Sequence, residues 1–186
     1  MKFIKQIYEF RKIMACYLSF VNAKIIKVMN NSTRKSIKRL SIVTIIIGGL
    51  ALAITYWEII AQLWISSYYN PITWNPDIKG WQIFIISARL AGLTLLFILC
   101  CVFLSRTNKG LENGEIFPES NISLIRWSAA VAAFLAFVNS NFDSAVKGES
   151  VLTLDSNFFL IPIIILLFAG LYKMAYLAAK DSNLAI

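Results

Sequence analysis

One carboxylate and one guanidinium stand inside otherwise apolar runs of this chain. Glu58 lies in LSIVTIIIGGLALAITYWEIIAQLWI, residues 40–65, and Arg89 in WQIFIISARLAGLTLLFILCCVFL, residues 81–104. At about 1.5 Å per helical residue, each sits roughly 10–12 Å from the end of its run that adjoins the intervening loop. Opposite charges at matching depth suggest an ion pair between neighbouring helices. Either charge alone in hydrocarbon would cost several kcal/mol, so such groups face a partner or a cavity. Two readings follow. The pair fixes helix register, or it belongs to an ion pathway or ligand pocket. Gln62 and Asn139 add polarity only near the same end, and a proton relay needs ionisable groups through the whole bilayer.

Other chemistry is scarce. The chain has no histidine, the usual general base and commonest metal ligand. Cys16, Cys100 and Cys101 offer neither a disulfide framework nor zinc spacing, and read as small apolar space-fillers. No span holds a carboxylate pair, and no nucleophile has a visible base. The expectation is therefore no enzyme, no cofactor and no metal.

The elements that must carry the charged pair are membrane helices. Of the 186 residues 58% are hydrophobic and only 15% charged, against about 25% charged in a soluble domain. Four segments are close to the roughly 20 residues that cross a hydrocarbon core: residues 40–65, 81–104, 123–140 and 158–179. The third, alanine-rich with Arg126 at its start, carries the weakest signal. The expected fold is all-α, a polytopic bundle of four transmembrane helices. Most of the 18 basic residues fall before the first span, between spans two and three, or at the C-terminal end. Positive loops stay inside, so both termini are expected in the cytoplasm. The outer loops are short, the first rich in Tyr and Trp, the second acidic. The net charge of +8 is then explained by this bias and by anionic lipid. No recognition motif calls for direct nucleic-acid binding.

Residues 1–31 form a separate extension, before a membrane domain of residues 32–186. Phe3, Ile7, Phe10, Met14, Leu18, Val21, Ile25 and Val28 recur every three or four residues, with Lys5, Lys12 and Lys27 off the stripe. That pattern predicts a basic amphipathic helix on the membrane surface. Alternatively Met29 is the natural start and the first 28 residues are dispensable. Within the spans, small residues at four-residue spacing (Gly49 and Ala53, Ala88 and Gly92, Ala129 and Ala133, Ala132 and Ala136) support a compact bundle or a dimer of it. Pro162 is expected to kink or start the fourth span.

A polar block, residues 105–122, joins spans two and three. Asn113 and Gly114 tolerate positive φ and predict a turn. Pro118 suits the first turn of the next helix, Glu119 its positive dipole end, and Phe117 packs against Ile122 as a staple. The stretch GLENGEIFPESNISLIRW resembles the signature of a bacterial family catalogued as domain of unknown function 2975, with Gly114, Phe117, Asn121, Leu124 and Arg126 at the signature places. The end of the chain, GLYKMAYLAAKDSNLAI, is similar to that family's C-terminal segment, with Ala179 and Lys180 where an acidic pair is usual and Asp181 kept. The likeness covers roughly residues 32–186.

The resemblance implies a small inner-membrane protein without established chemistry. It also implies, by gene neighbourhood only, a cytosolic partner of the helix-turn-helix regulator type. Two functions follow as expectations. One is a membrane-embedded regulatory protein that docks a cytosolic partner through residues 105–122. The other is a small oligomeric transporter or channel using Glu58 and Arg89.

Overall fold

The computed structural model describes residues 2–65, 71–113, 115 and 117–184, with the side chains of Ser32 and of those from 34 to 181. Four α-helices account for almost all of them: α1 Lys2–Trp64, α2 Lys79–Glu112, α3 Ser120–Lys147 and α4 Asn157–Leu184. A single 3-10 turn, Pro76–Ile78, precedes α2. Among the described residues there is no strand. The chain divides into two units, Met1–Ser41 and Ile42–Ile186. The division falls at Ser41, inside α1 and ten residues beyond the expected boundary at 31.

The first unit is helical from Lys2. The side chains of the stripe from Phe3 to Val28 lie outside the described residues, as does Cys16. Ser41 is buried, and its hydroxyl donates to the carbonyl of Ile37 one turn back.

Among the described residues, four helical segments are long and apolar enough to cross a membrane: Arg34–Trp64, Pro76–Glu112, Ser120–Lys147 and Asn157–Asp181. In the second unit α3 is the central helix. It packs against α2 on one side and α4 on the other, and Ala129, Ala132, Ala136 and Ala145 are buried. Small side chains let neighbouring backbones approach where lipid offers no hydrophobic drive. At Gly92 of α2 the approach is so close that a Cβ would lie 2.6 Å from Leu135 of α3. This explains the weak signal of the third span. Its mean hydropathy is 1.6 against 2.3 for the second, because neighbouring helices rather than lipid cover much of its surface. On α1 the close contact is made by Gly48, where a Cβ would stand 3.1 Å from Phe97, rather than by the expected Gly49 and Ala53. The Tyr56 and Thr94 hydroxyls join α1 to α2 at 2.8 Å. Pro162 lies within α4, near its start.

The helices run further than hydropathy marks. α3 continues to Lys147, so Asn141–Lys147, expected in a loop, forms its last turns. It ends at Gly148, whose φ of 77° suits a residue without a Cβ. α2 continues to Glu112, which reduces the polar block to a turn of residues 113–119. This turn marks one end of the bundle, the turn end. Residues 71–78 and 148–156, at the other end, mark the loop end.

Buried amides pin both loop-end connections. The Gln82 side chain, fully buried, donates to the carbonyls of Thr73 and Ala145 at 2.8 and 2.7 Å and accepts from the Asn75 amide at 3.0 Å. Asn141, also fully buried, donates to the Thr153 carbonyl and accepts from the Thr153 amide, each at 2.9 Å. Neither amide drew attention in the sequence, since a lone Gln or Asn near a span end carries no pattern.

Candidate functional site

At the turn end, three helices converge on the ring of Tyr172. Phe117 from the turn and Phe103 from α2 meet it edge-on, with centroids 5.4 and 6.0 Å away. Such contacts contribute about 0.5–1.5 kcal/mol each beyond area burial. Ile122, Ile125 and Ala169 complete the apolar cluster, and Phe117 packs against it.

Asn121 sits at the centre of this cluster, fully buried. Its amide nitrogen donates to Thr107 Oγ1 at 2.9 Å and to the Tyr172 hydroxyl at 3.2 Å. Both hydroxyls have already committed their protons, Thr107 to the Phe103 carbonyl and Tyr172 to the Pro118 carbonyl. The amide can therefore only donate here, and Asn121 Oδ1 is buried without a partner among the described residues. The network joins α2, the turn, α3 and α4 through one side chain.

The turn itself departs from its expected chemistry. Asn113 caps α2 with φ −85°, ψ −1°, a right-handed conformation, so it makes no use of its tolerance for positive φ. Pro118 is buried two residues before α3, not in its first turn. The close approach is provided by Gly110. A Cβ there would meet Pro118 Cγ at 2.5 Å and the Glu115 carbonyl at 2.9 Å, and the Gly110 carbonyl accepts from the Glu115 amide at 2.8 Å. Arg106 Nη1 donates to the Ser120 carbonyl, and Tyr176 of α4 donates to Glu119 at 2.8 Å. Lys180 stands 5.9 Å from the Tyr176 ring centroid.

Of the five signature residues, Phe117 and Asn121 thus meet at Tyr172. Leu124 lines an apolar groove with Phe103, Ile125 and Phe168. Arg126 is exposed, and Gly114 lies outside the described residues. The motif builds the turn. What the turn end presents outward is Lys109 of α2 with Glu115 and Glu119, all exposed. Tyr172, Thr107 and Gly110 escaped the sequence reading. Their partners lie up to 54 residues away, and no local spacing marks them.

The charged pair lies in the other half. Arg89 stacks on Phe142 of α3, with its guanidinium carbon 3.8 Å from the ring centroid. Glu58 and Asp143 both act electrostatically on this cation, Glu58 the more strongly. Neither forms a direct ion pair with it among the described residues. Among the described residues, Arg89 Nε and Gln62 Oε1 are buried without hydrogen-bond partners. Cys100 and Cys101 are free, half-buried thiols. Among the described residues no group of three or more His, Cys, Asp or Glu gathers as a metal site. In comparisons with known proteins, no family model, no curated protein and no solved structure matches this chain.

Proposed function

We propose that this chain is a regulatory or interaction protein of a bacterial cytoplasmic membrane, and that its turn end docks a cytosolic partner, with a helix-turn-helix regulator as the first candidate. The observation that carries this reading is the fixed geometry of the turn. Tyr172, Tyr176, Asn121 and Gly110 tie Glu115, Pro118 and Glu119 to α2, α3 and α4. A connector only has to span a gap. A turn held from three helices keeps Lys109, Glu115 and Glu119 in one arrangement, and such preorganisation lowers the entropy lost on binding. The excess of basic residues in this half argues for a cytoplasmic turn end with both termini on the same side.

The test is a pull-down of the tagged full-length chain in mild detergent, comparing wild type with Lys109→Glu/Glu115→Lys. These side chains point away from the packed network, so the variant keeps the fold. Expected is a cytosolic protein captured by wild type and lost from the variant at equal amounts of folded protein. The same capture from both samples would reject the docking surface. Capture by neither would return the turn to a plain connector.

A further inference from the structure

Two open apolar clefts run along α2. One lies against α1, between Gly48, Ala51 and Phe97, and holds about 270 Å³. The other lies against α3 and α4, between Phe103, Leu124 and Phe168, and holds about 220 Å³. Leu96 and Cys100 line both, so the clefts flank one ridge of α2. Each is smaller than the roughly 300–1,000 Å³ of a drug-sized pocket. The hydroxyls of Ser128 and Thr55 in their walls turn back to the carbonyls of Leu124 and Ala51 on their own helices. Such clefts give a flexible hydrocarbon chain close contact and offer no polar ligand a partner.

The second cleft has a charged end. Arg106 lies one turn beyond Phe103 on α2, and Ser120 one turn before Leu124 on α3, so both stand at the turn end of the cleft. There Arg106 Nη1 donates to the Ser120 carbonyl at 3.2 Å and bridges the two walls. A guanidinium has five N–H donors in a fork that fits phosphate oxygens. Arg106 is exposed, and this is its one hydrogen bond among the described residues. It follows the apolar run 81–104 by two residues, which sets it at headgroup depth. Lys109, exposed one turn further along α2, adds positive charge. Glu119, beside Ser120, accepts from Tyr176 of α4. A headgroup ammonium would therefore meet two cations, whereas a headgroup with no charge besides its phosphate would not.

We propose that Arg106 and the paired clefts form a binding site for one anionic phospholipid, its phosphate on the guanidinium and its acyl chains on either side of the Leu96–Cys100 ridge.

The probes are dioleoyl phosphatidylglycerol and dioleoyl phosphatidylcholine, offered together to the full chain in detergent and read by native mass spectrometry. Expected is one phosphatidylglycerol retained per chain with a preference of about fivefold, the scale that one basic residue near a membrane surface contributes. Arg106→Gln brings the preference near one, and Arg106→Lys keeps part of it. Cys100→Phe fills both clefts and retains less of either lipid. Leu171→Phe, at an exposed position of α4, behaves like wild type. Equal retention of the two lipids by wild type would overturn the proposal. So would an unchanged preference in Arg106→Gln, or unchanged retention in Cys100→Phe, when the variant keeps its helical circular dichroism and elutes as a single species. Should both variants fail to fold, wild type alone decides. Dihexanoyl phosphatidylglycerol has the headgroup but short chains, and should displace the dioleoyl lipid poorly; displacement as effective as by the dioleoyl lipid itself rejects the clefts. The readout contains no cytosolic protein, so its outcome is independent of docking.

Discussion

The Asn121 side chain of α3 donates a hydrogen bond to the Tyr172 hydroxyl of α4 across 3.2 Å, between residues 51 positions apart. The hydroxyl in turn holds the Pro118 carbonyl, so the position of the turn depends on an amide that the turn does not contain.

Removing that amide should therefore be felt in both elements. Asn121→Ala leaves the Tyr172 and Thr107 oxygens without their donor and opens a small void. A loss of about 1–3 kcal/mol is expected, read as a lower midpoint in detergent thermal melts. Tyr172→Phe keeps the ring stack and loses only the hydroxyl, for about 0.5–1.5 kcal/mol. Because both changes act on one network, the double variant should lose less than the sum of the two. Strict additivity would show that the network does not couple.

Two glycines give a paired test of close approach. Gly110→Ala puts a methyl 2.5 Å from Pro118 Cγ and 2.9 Å from a carbonyl, so the turn must move, at about 1–3 kcal/mol. Gly170→Ala in α4 meets nothing within 4 Å and should be neutral or stabilising by up to about 1 kcal/mol through helix propensity. Equal effects at the two positions, measured by thermal melts under one condition, would contradict the packing at Gly110.

At the loop end the corresponding residue is Gln82. Gln82→Leu keeps the volume but leaves the Thr73 and Ala145 carbonyls and the Asn75 amide without their partner. The connection of residues 71–78 should then exchange its amide hydrogens faster, with the Thr73 and Asn75 amides among the first to respond, since Thr73 donates to the Val146 carbonyl and Asn75 to Gln82 itself. Unchanged exchange there in the folded variant would remove Gln82 as the clasp.

Acid should act on the start of α4. The Asp155 carboxylate accepts from the Ser156 hydroxyl at 3.0 Å and the Asn157 amide at 2.8 Å, and these bonds hold its pKa below the ordinary 3.8. A depressed pKa contributes stability that is present above pH 3.8 and lost as pH falls through the lower folded value. Wild type should exceed Asp155→Asn in stability near neutral pH, and the gap should close below about pH 3.8. A gap that stays constant down to pH 2 would exclude the carboxylate as its source.

The membrane class of this protein was written in its composition. Long apolar runs need no tertiary information, because hydrocarbon imposes one requirement on every residue that faces it. The four spans, the all-helical fold and the close fit of Ala88 and Gly92 on α2 could be read on that ground.

The helix ends could not be read in this way. Asn141–Lys147 and Ser105–Glu112 are polar, so hydropathy stops where they begin. Packing against neighbouring helices and the αL cap at Gly148 carry the helices on. Nor could Gln82, Asn121 or Tyr172 be singled out, because a buried amide or hydroxyl is defined by partners from other helices. The charged pair shows both sides at once. Local sequence placed Glu58 and Arg89 at matching depth. Only the packing of α3 brought Phe142 and Asp143 to the same guanidinium, since a side chain's electrostatic surroundings depend on which helices meet and not on the order of residues along one of them.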